Sequence, residues 1–324
     1  MGHRLLPRSP ALYHGKESSR PYFEGWFFKQ SLDGQSCAVI PGVFRGKSSG
    51  GDIAFIQVLL SNPVQSFFVR CPFDAFSFEQ KRFGIRIAGN YFSLEGVSLN
   101  IRDIGLKGEL QFTGISPLKT TLLSPSIMGP FSYIPFMQCS HGVLSLGHGV
   151  SGYISLGGRR LVFDNADGYI EKDWGGAFPN SWIWMQCGDK QSALMCSIAH
   201  IPYGAIKFTG LICVLRTNEK QYRFATYNGA KLDLVNIGKE SVEVRLRRKD
   251  LTLQIAAANS EFGSLKAPTQ SGMDRVISES LSARYQVKLY KECNEIFSGS
   301  YENGGLEVSD AKELVMNDKY KQYK

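Results

Sequence analysis

Between Gly168 and Gln186 the chain sets Tyr169, Glu171, Lys172, Asp173, Trp174, Trp182 and Trp184, so three of its four tryptophans share nineteen positions with two carboxylates. Aromatic faces beside ionisable groups suit a cavity that holds an apolar molecule while giving or taking a proton, because burial drives a carboxyl towards its neutral acid. Core packing alone would select the rings without the charges. The bland alternative is a strand end where an ion pair is capped by aromatic packing. Period-two alternation puts Tyr169, Glu171 and Asp173 on one side of an extended segment and Lys172 on the other, where a solvated exterior is the expectation.

The elements that must position these groups read as strands. Short runs of β-branched and aromatic residues, such as Ile53 to Leu60, Arg159 to Phe163 and Leu281 to Tyr290, are punctuated by Gly, Asn, Asp and Ser. Helical periodicity is nearly confined to the C-terminus, where Asp310 and Glu313 form a capping-box pattern for a short helix towards Lys319. A shift of 156 residues lays Trp26 to Phe68 over Trp182 to Phe224 without a gap, with eleven of 43 positions identical. Trp26 matches Trp182, Gln30 matches Gln186, and Ile56, Val58 and Leu59 match Ile212, Val214 and Leu215. Such a period is too long for a solenoid and implies two copies of one β domain. An antiparallel unit of this size avoids exposed edges by closing into a barrel, which at about eight strands has room for one small ligand.

The expected fold is therefore all-β, with two duplicated antiparallel β-barrel domains: residues 1–150, including a Pro-rich connector, and residues 151–324, carrying the candidate site. The connector, Ser116 to Met137, is broken by Pro117, Pro125, Pro130 and Pro135 and cannot be one helix. It reads as packed linker or as a lid. A net charge of +8 is spread along the 324 residues, with basic clusters too short to argue for nucleic acid; weak attraction to an anionic bilayer surface is compatible with it. Seven cysteines without a C-x-x-C pair read as reduced core thiols, and no metal-ligand spacing stands out. No apolar run is long enough for a signal peptide or a membrane span, so the expected location is cytoplasmic, with peripheral membrane contact as the variant. The Gly-x-Ser-x-Gly run Gly46-Lys47-Ser48-Ser49-Gly50 lies in a Gly-rich stretch that reads as a hairpin turn, not as the nucleophile elbow of a serine hydrolase.

Pro21-Tyr22-Phe23-Glu24-Gly25-Trp26, the core Glu171-Lys172-Asp173-Trp174-Gly175-Gly176-Ala177-Phe178-Pro179 and a late Ala267-Pro268-Thr269 element resemble the tocopherol cyclase family, itself similar to lipocalin-like two-barrel proteins that include carotenoid hydratases. The resemblance implies two lipocalin-like barrels and closure of a chromanol ring, a step of vitamin E biosynthesis. The side-chain alkene of a prenylated hydroquinone is protonated and the phenol oxygen captures the tertiary cation. It implies an intramolecular cyclase of the isomerase or lyase type, needing no cofactor and acting on a hydrophobic small molecule. Plant members of the family have Asn where this chain has Asp173.

Protonating an alkene needs a carboxyl sheltered from water. Glu171 is the first candidate, since in the related hydratases the acid follows a tyrosine by two places, as Glu171 follows Tyr169; Asp173 is the second. Tyr169 could hold the phenol, and His141 could orient the acid or take the phenolic proton, or be structural. Trp174, Trp182 and Trp184, with Gln186 on the same strand face, could line the substrate and stabilise its cation, or simply fill core. Glu24 and Trp26 could complete the site from the first copy. The competing functions are a noncatalytic lipocalin-like isoprenoid carrier and an isoprenoid hydratase.

Overall fold

Alternating sequences become strands with one face buried, as in Leu106–Thr113 and Ser241–Arg248, while all nine residues of Ile53–Ser61 are buried. Loss of alternation marks strands covered on both sides. The computed structural model describes residues 9–15, 20–47, 49–134, 137–203, 206–218, 220–259 and 261–315. Its first unit holds β1 (Tyr22–Leu32), β2 (Gln35–Arg45), β3 (Ile53–Ser61), β4 (Val64–Pro72), β5 (Phe76–Phe78), β6 (Gly84–Ile87), β7 (Asn90–Ser93), β8 (Gly96–Ile101), β9 (Leu106–Thr113), β10 (Cys139–Leu156) and β11 (Arg159–Gly175). They form one antiparallel sheet in the order β4-β3-β2-β1-β11-β10-β9-β8-β7-β6-β5. The chain continues through β12 (Trp182–Gly188), β13 (Ala193–Tyr203), β14 (Ile206–Arg216), β15 (Gln221–Ala225), β16 (Lys231–Ile237), β17 (Ser241–Arg248), β18 (Leu251–Ala258), β19 (Gly263–Ala267), β20 (Arg275–Lys291) and β21 (Asn294–Ser309). The second sheet runs β15-β14-β13-β12-β21-β20-β18-β17-β16. Each sheet thus starts with a four-strand meander whose first strand pairs with the last long strand of its own unit. The fold is the duplicated, lipocalin-like all-β architecture.

In the first unit one core draws on nearly every strand, from Trp26, Phe28, Val39, Ile56 and Val69 to Phe92, Leu106, Phe112, Val150 and Ile170, so the sheet curls around it. The second unit has its own core, with Ile183, Met185, Cys196, Leu211, Leu246, Ile255, Tyr285 and Leu306.

The division differs from the expected 150/151. The first unit takes the chain up to Phe178 together with Ser264–Val276, and the second takes Pro179–Gly263 and the chain from Ile277. The cause is the hairpin of β10 and β11, with 18 and 17 residues, whose second strand pairs with β1 from Phe23↔Gly175 to Ser31↔Asp167. Glu171 therefore belongs to the first unit, not to the C-terminal half.

The register of the repeat is also corrected. Trp26, Ile56 and Val58 face the first core, whereas their matches Trp182, Ile212 and Val214 are absent from the second core; Leu59 lies outside the first core and its match Leu215 lies inside the second. The core rows are Phe28–Val39–Val58 and Met185–Cys196–Cys213. They correspond at odd shifts, and a one-residue slip turns every side chain to the other face.

The connector contains a short 3-10 turn, Gly129–Tyr133, and exposes Leu122 and Leu123 while burying Leu118 and Ile127; Pro135 lies outside the described residues. The helix expected from Asp310 is a single turn, α1 (Lys312–Val315), and residues 316–324 lie outside the described residues. All seven cysteines are free thiols. Among the described residues no helix is long and apolar enough to cross a membrane.

One buried group gives this fold a pH dependence. His148 packs edge-on against Phe112, its Nδ1 is 3.0 Å from Ser145 Oγ, and burial pushes its imidazole down to about 4. The unfolded chain then binds the extra proton below about pH 6.5, so stability is lost as pH falls from there towards 4, by about 3 kcal/mol over that window. Urea titrations at pH 7 and pH 5 should show a smaller loss for His148→Phe than for the parent.

Candidate active site

β11 and its neighbours β1 and β10 carry charge on both faces of one stretch of sheet. From Tyr169 to Lys172 the strand is continuously buried. Odd-numbered side chains leave one face and even-numbered ones the other, which splits the motif into two clusters.

On the outer face, away from the first core, Tyr169, Glu171 and Asp173 stand in a row, and β10 adds His141 opposite Asp173. The Tyr169 hydroxyl donates to Glu171 Oε2 at 2.5 Å. His141 stands between the carboxylates, with Nδ1 2.8 Å from Asp173 Oδ1 and Nε2 3.2 Å from Glu171 Oε2, the second contact too far off line for a hydrogen bond. Tyr169, Glu171 and His141 are 2%, 4% and 7% exposed, whereas the Asp173 side chain keeps 25%. Burial works against a charged imidazole, but Asp173 and Glu171 outweigh it and hold His141 well above its ordinary value. Burial, reinforced by the adjacent carboxylates, pushes the Tyr169 phenol up, so it stays a donor. The Cys139 thiol, 3.9 Å from Asp173 Oδ1, is pushed up in the same way. The strand ends at Gly175, whose φ of +152° only glycine takes readily.

His141, Glu171 and Asp173 offer ligand atoms within 4.8 Å of one another, a spacing compatible with a metal ion. Their arrangement fits a proton better. The imidazole presents a different nitrogen to each carboxylate, so an ion on one nitrogen would have to reach the far carboxylate across the ring. A protonated His141 donates from Nδ1 to Asp173 and holds Nε2 at ion-pair distance from Glu171, so one charge serves both carboxylates.

The inner face holds the second cluster, which sequence reasoning missed. Lys172, expected on a solvated exterior, is fully buried with Nζ 2.5 Å from Glu24 Oε1 on β1. It also reaches Leu12 O at 2.6 Å and His14 Nδ1 at 2.8 Å, and lies 4.9 Å and 4.7 Å from the ring centres of Trp26 and Trp174. His14 stacks on Trp174 at 4.6 Å. Glu24 further accepts from the Tyr22 hydroxyl and from the backbone N–H groups of His14 and Gly15. Burial pushes Lys172 down to about 8 against the pull of Glu24; burial would raise Glu24, but Lys172 and His14 bring it below its ordinary value. The missed signal was parity. Tyr22, Glu24 and Trp26 alternate on β1 so as to meet Lys172 and Trp174 behind Glu171.

Of the expected site residues, the structure brings together Glu171, Asp173, Tyr169 and His141. Glu24, Trp26 and Trp174 belong to the reverse face of the same sheet and do not complete that group. Trp182, Trp184 and Gln186 lie in the second unit, on the side of β12 opposite to the Ile183, Met185 and Cys187 core side. There Trp182 Nε1 donates to Glu307 Oε2 at 2.7 Å, and the Trp184 ring packs where a side chain on Gly305 would stand.

The sequence profile described as "Tocopherol cyclase-like" matches residues 119–310, more than half of the chain. A probable chloroplastic tocopherol cyclase of Oryza sativa subsp. japonica is 26% identical over 182 residues, covering 52% of this chain and 38% of that protein. The chloroplastic tocopherol cyclase of Zea mays is 41% identical over 63 residues, 19% of this chain and 13% of the relative. The chain thus matches well under half the length of either. Among solved structures, CghA with Sch210972 superposes with a TM-score of 0.67 at 12% identity, covering 94% of this chain and 93% of that one, a likeness of fold.

Proposed function

We propose, from the premise that this chain belongs to the tocopherol cyclase-like family, that it closes an oxygen ring on a prenylated hydroquinone at the outer-face cluster of the first unit. The observation that carries this reading is the buried row Tyr169–Glu171–His141–Asp173, a proton store with one end open to solvent. Glu171 delivers a proton to the side-chain alkene, leaving a tertiary cation. The phenol oxygen attacks it, and its proton passes to Asp173. The His141 imidazolium passes its Nε2 proton to the Glu171 carboxylate, Asp173 gives the phenolic proton to solvent at its exposed end, and the imidazole regains its charge from solvent. The C–O bond forms and one proton moves from oxygen to carbon, so the product is an isomer of the substrate and no cofactor is consumed. The Tyr169 hydroxyl and the His141 imidazolium stabilise the Glu171 carboxylate once its proton has left.

The remaining readings separate on product mass. Incubation with a prenylated hydroquinone in water carrying labelled oxygen should give an unlabelled isomer of the substrate. A labelled, heavier product would make the protein a hydratase, and tight binding without change a carrier.

The relay fixes the pH profile. His141 must carry its proton, and because Asp173 and Glu171 hold it above the usual range, kcat should fall only well above pH 6.5. Asp173→Asn removes one of the charges holding that proton and should move the alkaline limb down by about 1–3 units. A pH–rate profile of both proteins checks this.

A further inference from the structure

The outer face of the first sheet is largely covered. Phe23, Phe44, Ile53 and Phe55 form a second apolar cluster on it, with Phe68, Cys139, Phe178 and Met273 packed against them. Gln57 clamps the strap that begins at Ser264 by bonding both N–H and C=O of Lys266, at 2.7 Å and 3.0 Å. Beside the acid cluster the cover stops. Gly25, Phe27, Ile40 and Asp173 are only half-buried, amid buried Lys29, Ala38, His141, Tyr169 and Glu171.

The register makes these four neighbours. Gly25 pairs with Asp173 and Phe27 with Glu171; on the other side Gly25 pairs with Gly42 and Phe28 with Val39, which brings Ile40 alongside Phe27. An apolar strip of two strands, about 5 Å apart, thus begins at the two carboxylates. Gly25 creates its space. A Cβ there would come no closer than 3.9 Å to Pro41 O and 4.0 Å to Ile40 Cγ2, whereas the corresponding space at Gly42 is filled by the Phe55 ring. Gly25 is not among the glycines with positive φ, so backbone conformation does not demand glycine at this position; room does.

We propose that Gly25 is a specificity-determining residue: its missing side chain opens the strip Gly25–Phe27–Ile40 to the prenyl chain, with the reacting alkene beside Glu171 and Asp173. Length of chain beyond the alkene is then what the strip reads. This inference rests on the cyclase reading, and its test keeps the two apart.

Gly25→Val is compared with the parent on two hydroquinones, one carrying a single isoprene unit and one carrying four. The expected result is a loss of kcat/KM on the long-chain substrate greater than that on the short one by about tenfold or more, carried by KM. Equal losses on both, or no loss on either, overturn the inference. Should the parent transform neither compound, the cyclase reading fails, and binding of the long-chain hydroquinone measured by tryptophan fluorescence decides the inference alone: weaker binding by Gly25→Val supports it, and equal or absent binding overturns it. Circular dichroism checks folding. If the valine variant does not fold, Gly25→Ala, whose methyl sits at ordinary contact distance, must show the same long-chain bias at reduced size.

Discussion

Glu171→Gln should lower kcat by about 10²–10⁴-fold, the usual worth of a positioned general acid, with folding and binding of the hydroquinone nearly intact. The substitution keeps the shape of the side chain and leaves Tyr169 an oxygen to donate to. What it removes is the atom that takes a proton from His141 and passes it on. It also removes one of the two carboxylates holding the His141 proton, so whatever turnover remains should lose its alkaline limb earlier. Steady-state kinetics with a parallel binding titration makes the comparison. Tyr169→Phe tests the supporting role, since it takes away only the hydrogen bond to the carboxylate and should cost far less than losing the acid.

The largest effect on stability is expected behind the site. Lys172→Met leaves the fully buried Glu24 carboxylate without its cation and should destabilise the first unit by about 3–5 kcal/mol. The same change releases the contacts from Nζ to Leu12 O and His14 that tie the segment before β1 into the core. Adding Glu24→Gln to Lys172→Met removes the orphaned charge and should recover much of the loss, because desolvating two ions offsets most of their attraction. Urea unfolding of the parent, the single variant and the double variant measures both steps. Equal stability of the single and double variants would contradict the account of this ion pair.

Much of the fold was legible because strand alternation and turn residues carry it. Two barrel-like sheets and the shared face of Tyr169, Glu171 and Asp173 follow from period-two reasoning, and the repeat from identity at a shift of 156 residues. The same period also explains the errors. Identity at shift 156 favoured a register that puts Trp182 where Trp26 stands, but the matching rows differ by an odd number of residues, so the indoles of the second copy point away from its core. Lys172 was misplaced because alternation tells which side a residue takes and not whether that side meets water; the inner face of β11 meets Glu24, Trp26 and His14. The boundary at residue 150 failed for a long-range reason. β11 pairs with β1, more than a hundred residues earlier, and no local signal announces that partner. Gly25 was read as part of a motif, while its role as open space needed the positions of Ile40, Pro41 and Phe55.

The most direct measurement is the fate of one hydrogen: the parent and Glu171→Gln are each incubated with a prenylated hydroquinone in deuterated water, and the products are analysed by mass spectrometry and NMR. The parent should yield a ring-closed isomer with a single deuterium on the former alkene carbon next to the new C–O bond, and the variant almost none. Ring closure by Glu171→Gln at the parental rate would contradict the assignment of that carboxyl as the acid, and unchanged substrate recovered from a folded, ligand-saturated parent would contradict the chemistry itself.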